Sequence, residues 1–411
     1  MFGKLRFAIS PIALTAALAA CSPSGPAPVQ KPQAAAKVAP AAVMPVSGTP
    51  VSAAPANGPN AAMDATVQAA IAEPPLPADQ QTAEQAINQA SQTAAPPAAL
   101  APNTKAPTAA RAAAYDPSIL RAEVLLDRAG FSPGVIDGTD GSNFRGALAA
   151  YAQAHGLPAP GPGVSQDPAV FAALTAGDPG AAMQAYQVAA DDVAGPFIGQ
   201  LPTDYRELAK LPALGYSGPD QLLAEKFHMG LGLLKRLNPD ADFSKAGQVI
   251  LVAAPRAGPR AFQVGRIEVD KSGGDIKVFD PAGALVAFYP ATVGSTERPA
   301  PSGQFVVKAV APRPAYYFDP ARLTFAPQGA TGKLRIAPGP NNPVGSTWIG
   351  LNVPTYGIHG APDPELIGKR QSHGCVRLTN WDAAELGKAV KAGVQVAFVG
   401  VEAAAKGLKR G

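Results

Sequence analysis

The chain has 411 residues, with 16% charged, 6% aromatic, 45 prolines, 42 glycines and a formal net charge of +4. That length exceeds one ordinary domain, and mild basicity without a basic patch interleaved with aromatics excludes a nucleic-acid partner. With two cysteines, Cys21 and Cys375, a disulfide framework is excluded as well.

Residues 1–21 open with Lys4 and Arg6, continue in an apolar run from Phe7 to Ala20 that is too short to span a bilayer, and end in Leu18-Ala-Ala-Cys21. This resembles a lipoprotein signal, with Cys21 as the lipidation site. Several acyl chains would anchor the protein to a membrane stably. Ser22 rather than Asp follows the cysteine, which by resemblance to Gram-negative lipoproteins implies a periplasmic protein held at the outer membrane. A lipidated Cys21 leaves Cys375 as an unpaired thiol exposed to oxidation. Residues 22–114 are rich in Ala, Pro, Gln, Ser and Gly and poor in large apolar residues. They are expected to form a disordered tether with a reach on the order of 50 Å, carrying at most a transient helix around Ala83 to Thr93.

A small helical domain is expected over 115–178. Asp116-Pro117 is an N-cap followed by proline at the first helical position, an apolar pattern runs to Leu126, and Gly130 stops it. After the turn Asp137-Gly138-Thr-Asp-Gly141, Phe144, Leu148, Tyr151 and His155 recur at helical spacing. The arrangement resembles the helical peptidoglycan-binding domain, although Tyr151-Ala-Gln153 is offset by one from that family's aromatic–Gln pair. His155 reads as structural.

A second module is expected over 186–256: helices at Leu222–His228 and Leu233–Leu237, Asn238-Pro239, then a strand from Gly247-Gln248 to Pro255. The order resembles a βααβ LysM domain, which would imply glycan binding. Its first strand is expected near Leu201 to Leu214 or earlier. His228 reads as packing.

The region 262–402 reads as β-rich, a mixed sheet or sandwich with one helix. Phe262–Asp270 and Asp275–Asp280 flank a Ser272-Gly-Gly274 turn, and Leu285–Val293, Gly303–Val310, Ser346–Val353 and Val394–Val399 add strands. Thr379 and Asp382 suit the cap of a helix from Trp381 to Val390, and the Pro312–Pro343 excursion is long enough to wall a cleft. Trp348 and Trp381 read as core.

Within that region Tyr356-Gly-Ile-His359-Gly360 is followed by Ser372-His373-Gly374-Cys375-Val-Arg377. A thiol of ordinary pKa is mostly protonated at neutral pH, so a nucleophilic cysteine needs a base or a positive neighbour. On a strand, His373 and Cys375 share a face, and His359 must come from a neighbouring strand. The same three side chains and a water would also suit a catalytic zinc, but no further cysteine and no His-x-x-x-His spacing accompany them.

The pattern resembles the L,D-transpeptidase (YkuD) signature, and the likeness extends through Pro338–Gly350 and Arg377–Asn380. It implies a cysteine acyltransferase without cofactor or metal, acting on peptidoglycan stem tetrapeptides. Cys375 would be the nucleophile and His359 its base, with His373 and Gly374 beside them in the catalytic constellation. Ser372, Arg377, Gly360 and Tyr356 would line the substrate site, with Arg377 able to grip a carboxylate bidentately. The acceptor of the acyl group would be a second stem, a wall-anchored lipoprotein or water. The last is the carboxypeptidase or hydrolase alternative on the same fold. A non-catalytic wall-binding lipoprotein is the alternative of another class. Gly360 replaces the Ser or Thr that some members carry after the first histidine, so only a backbone carbonyl is available there to orient His359.

Overall fold

The computed structural model describes residues 75–90, 115–161, 167–256, 258, 260–294, 299–320, 332–369 and 374–401. The signal region with Cys21, most of the tether, and Ser372 and His373 lie outside the described residues.

One stretch of the expected tether belongs to the folded core. Ala78–Asn88 is a helix, α1, on which Ile87 is fully buried, and Leu76 just before it is buried too. Its polar residues are the reason it docks. Asn88 Oδ1 accepts from the Ala182 and Met183 amides, Gln80 Nε2 donates to Asn238 Oδ1, and Arg121 donates to the Asn88 carbonyl. Buried amides of this kind must be paired, and α1 supplies the pairs.

The helical module follows as α2 (Pro117–Ala129), α3 (Ser142–Ala154) and α4 (Pro168–Gly177). Asp116 caps α2 by accepting from the Ser118 and Ile119 amides, and Gly130 closes it in the left-handed conformation, φ 88°. His155 stacks on Tyr151 at 3.9 Å and has a structural place, as expected.

Where the sequence predicts a strand–helix–helix–strand order, four helices separate the two strands, and the first strand is β1 (Met183–Gln187), which begins before residue 186 and is earlier in the chain than 201–214. β1 pairs antiparallel with β2 (Val249–Ala253), Met183 opposite Ala253. Pro202 and Pro212 cannot serve a ladder, and the 201–214 stretch carries instead the short helix α6 (Tyr205–Leu208), after the single turn α5 (Ala190–Val193). α7 (Pro219–Lys226) and α8 (Leu231–Leu237) complete the unit.

The C-terminal domain is built on β3 (Arg266–Asp270), β4 (Asp275–Phe279), β5 (Leu285–Pro290), β6 (Gly303–Pro312), β9 (Thr347–Leu351), β10 (Gly357–His359), β11 (Val376–Arg377) and β12 (Gln395–Val399). They form one mixed sheet in the order β11-β10-β9-β6-β12-β3-β4-β5, parallel only at β10–β11 and β3–β12. The sheet curls until its ends meet. Thr292, two residues beyond β5, exchanges backbone hydrogen bonds of 2.9 and 3.0 Å with Arg377 of β11. Helix α9 (Asn380–Ala389), capped by Thr379, buries Ala383 and Leu386 against Ile267, Ile349, Ile358 and Val376 inside the curl. The outer edge of β5 is covered by the helical module, where Phe288 donates to the Gly130 carbonyl and accepts from the Ser132 amide. A two-stranded hairpin, β7 (Tyr316–Phe318) with β8 (Leu334–Ile336), stands in the Pro312–Pro343 excursion.

Candidate active site

β10 and β11 run side by side, with Ile358 opposite Val376 and His359 opposite Arg377. Parallel register partners project to one face, and Cys375 precedes Arg377 by one strand repeat, so His359, Arg377 and Cys375 share that face. His359 does stand on the strand next to β11.

His359 is 3% exposed and stacks on Trp348, its cross-strand partner, at 5.4 Å and 18°. Trp348 is therefore support for the imidazole and not only core. Its signal was the hairpin itself: a turn at Val353-Pro354 sets residue 348 against 359. Nδ1 of His359 lies 2.6 Å from the Gly360 carbonyl. A carbonyl only accepts, so Nδ1 carries the proton and Nε2 is the basic nitrogen. Burial pulls the pKa of His359 down to about 4, the Gly360 hydrogen bond opposing and the Arg377 charge adding to the shift. At neutral pH the ring is an uncharged base.

Gly360 itself is buried behind the imidazole and not in a cleft; a Cβ there would come within 2.3 Å of Asn380 Oδ1. It orients His359 through its carbonyl, and a direct substrate contact is not what the geometry gives it. Tyr356 has a similar positioning place. Its hydroxyl donates to the Gly374 carbonyl at 2.5 Å, fixing the peptide before the cysteine. Gly374 has φ 128°, a backbone region that side chains rarely adopt.

Burial pushes the Cys375 thiol up, against the Gly357 amide and the Arg377 charge, which both favour the thiolate. The thiol lies 3.8 Å from the Thr355 carbonyl, on a residue with φ 62°. The half-buried Cys375 thiol and the buried, neutral His359 imidazole thus stand on neighbouring strands with Arg377 acting on both.

Sequence reasoning missed two aromatic residues. Tyr316 of β7 and Tyr205 of α6 are half-buried, and both feel the Arg377 charge; Tyr316 also feels Cys375. Burial raises both phenols, Tyr316 to about 12. Nothing in the local sequence around Tyr205 marks it. A cavity of about 470 Å³ lined by Tyr216, Glu225, His228, Asn380 and Trp381 includes neither Cys375 nor His359.

This strand pair falls inside a match to the L,D-transpeptidase catalytic domain family, YkuD, over residues 265–398. Residues 265–398 are an L,D-transpeptidase catalytic domain. YkuD of Bacillus licheniformis, an L,D-transpeptidase by name, is 29% identical over 178 residues, covering 43% of this chain and 90% of its own. YbiS of Escherichia coli K12, named likewise, is 27% identical over 212 residues, 48% of this chain and 67% of its own. YkuD of Bacillus subtilis is 39% identical over 74 residues, but this covers 18% of the chain and 45% of the relative, so the chain spans less than half of that protein. A solved L,D-transpeptidase from Mycobacterium smegmatis aligns at 20% identity and a TM-score of 0.27 over 33% of this chain and 58% of its own, an overlap too small to build on. The L,D-transpeptidase domain thus has its thiol, imidazole and guanidinium on one face of one strand pair.

Proposed function

We propose that the protein is a periplasmic L,D-transpeptidase that cleaves peptidoglycan stem tetrapeptides through a thioester on Cys375. The observation that supports this best is the neutral, carbonyl-oriented His359 on β10 beside the strand that carries Cys375. In this reading the thiol adds to the carbonyl of the bond before the terminal D-Ala while its proton passes to Nε2 of His359. Amides around Gly374 and Cys375 hold the oxyanion, His359 returns the proton to the departing amine, and the thioester remains. An amine from another stem then gives a cross-link, a lipoprotein lysine gives anchoring, and water gives hydrolysis. His373 and Ser372 line the same site, Cys21 carries the lipid, and the helical and βααβ units hold glycan.

The test is incubation of the purified chain with disaccharide tetrapeptide, read by mass spectrometry beside Cys375→Ala. Loss of D-Ala that disappears in the variant, with dimers as product, supports transpeptidation; free tripeptide alone would replace it with hydrolysis. Wild-type protein that binds sacculi but turns nothing over would favour a wall-binding role.

A further inference from the structure

The segment from Gly195 to Ser217 stands outside the catalytic-domain match, yet it is built against that domain's hairpin. Leu208 and Leu214 form a small core of their own with Ile336 and Ala337. The Leu214 amide donates to the Pro338 carbonyl at 2.9 Å, and its carbonyl accepts from Asn341 at 3.1 Å. Asn341 also donates to the Gly215 carbonyl, so the segment is held by backbone on both sides. Within it Asp204 caps α6 and so fixes where Tyr205 stands.

Tyr205 stacks on Phe318 at 4.6 Å and reaches Tyr316 at 6.1 Å between ring centres. The alternation of β7 puts Tyr316 and Phe318 on this side and leaves Tyr317 71% exposed on the other. Among the described residues the hydroxyls of Tyr205 and Tyr316 have no hydrogen-bond partner, and the half-buried Arg377 guanidinium pairs with no carboxylate. The two phenols both lie within reach of the Arg377 charge, and Tyr316 also within reach of Cys375. A half-buried guanidinium without a carboxylate partner, with two phenol hydroxyls near its charge, suits a substrate carboxylate.

We propose that Tyr205, supplied by the segment upstream of the catalytic domain, forms with Tyr316 and Arg377 a subsite for a carboxylate of the stem peptide, and so sets which donor peptides reach Cys375. This rests on the peptidoglycan reading above and adds to it a specificity residue that the catalytic domain does not contain. Tyr205 is a positioning residue and takes no part in bond making.

The experiment compares the full chain with Tyr205→Phe, and with Tyr317→Phe as the control on the opposite face. Substrates are the free-acid tetrapeptide and versions with each carboxylate in turn converted to the carboxamide. Losing one hydrogen bond to a charged group is expected to raise KM for the acid substrate about tenfold, with a much smaller change in kcat, and to erase most of the preference for acid over one particular amide. Tyr317→Phe should behave as wild type, and the alkylation rate of Cys375 by iodoacetamide should match in all three, which would separate lost recognition from a disturbed thiol. Absence of Cys375-dependent turnover by the wild type would remove the reading beneath this inference. Wild-type turnover with an acid preference that Tyr205→Phe leaves intact would overturn the inference and leave that reading standing.

Discussion

Two histidines in this molecule stack on a tryptophan, and their pKa values move in opposite directions. His359 lies over Trp348 at the strand pair of the active site, at 5.4 Å and 18°. His228 lies over Trp381 where α7, the helical module and α9 meet, at 4.9 Å and 8°. Burial disfavours the charge in both. The difference is the group at Nδ1. His359 meets a backbone carbonyl, whose dipole does not offset burial. His228 meets the Asp127 carboxylate at 3.0 Å, with Asp382 and Glu385 of α9 adding to the field, and its pKa ends above the ordinary value. Glu225 of α7 faces the same imidazole. Packing supplies the ring's surroundings, and the charged or neutral character of its hydrogen-bond partner sets the direction in which its pKa moves.

The comparison breaks most visibly at His359. His359→Gln keeps roughly the volume but has neither the ring that stacks on Trp348 nor a basic nitrogen, so kcat/KM for tetrapeptide cleavage should fall about 10²–10⁴-fold, with the melting temperature measured beside it to separate the lost stack from the lost nitrogen. A loss below about tenfold would remove His359 from the role of base.

The wild-type pH profile sharpens the same point. A base held down to about 4 by burial is still deprotonated at pH 5, so the acid limb of kcat/KM should fall near pH 4 and not near the ordinary histidine value of about 6.5. An acid limb near 6.5 would mean that His359 is more solvated, or that another group titrates.

The smallest effect is expected at His228, and on stability alone. Its folded pKa is raised, so its contribution is complete below the unfolded value of about 6.5 and is lost as pH rises through the folded value. His228→Gln should cost about 1–3 kcal/mol at pH 6 and less at pH 8.5, seen as a gap in melting temperature that narrows with rising pH. Asp382 and Glu225 feel the same imidazole, so the gap reports His228 together with its effect on these carboxyls. A gap that widens with pH would show that His228 is neutral in the fold.

Much of the catalytic domain, and the start of the helical module, was legible from local pattern. Strand alternation around the Ser272-Gly-Gly274 turn gave β3 and β4, the Asp116-Pro117 and Thr379 caps gave the starts of α2 and α9, and the spacing of His359, Cys375 and Arg377 gave neighbouring strands. These signals are local because capping and side-chain alternation act over a few residues. Where partners are distant in the chain, pattern failed. Residues 75–90 have tether composition, and they fold because Asn88 and Gln80 find amide partners around Met183 and Asn238. β1, with two glutamines among its five residues, is a strand because β2 pairs with it.

The sequence by itself determined which reactive groups this protein offers, since a thiol, an imidazole and a guanidinium are fixed by residue type and by spacing along strands. Only the tertiary structure decided their state. Burial keeps His359 neutral, Asp127 holds the pKa of His228 above its ordinary value, and the hairpin packs Tyr205 against Tyr316 and Phe318 more than 100 residues away in the chain. Charge state and site completion depend on desolvation and on contacts across the fold, which no local pattern encodes.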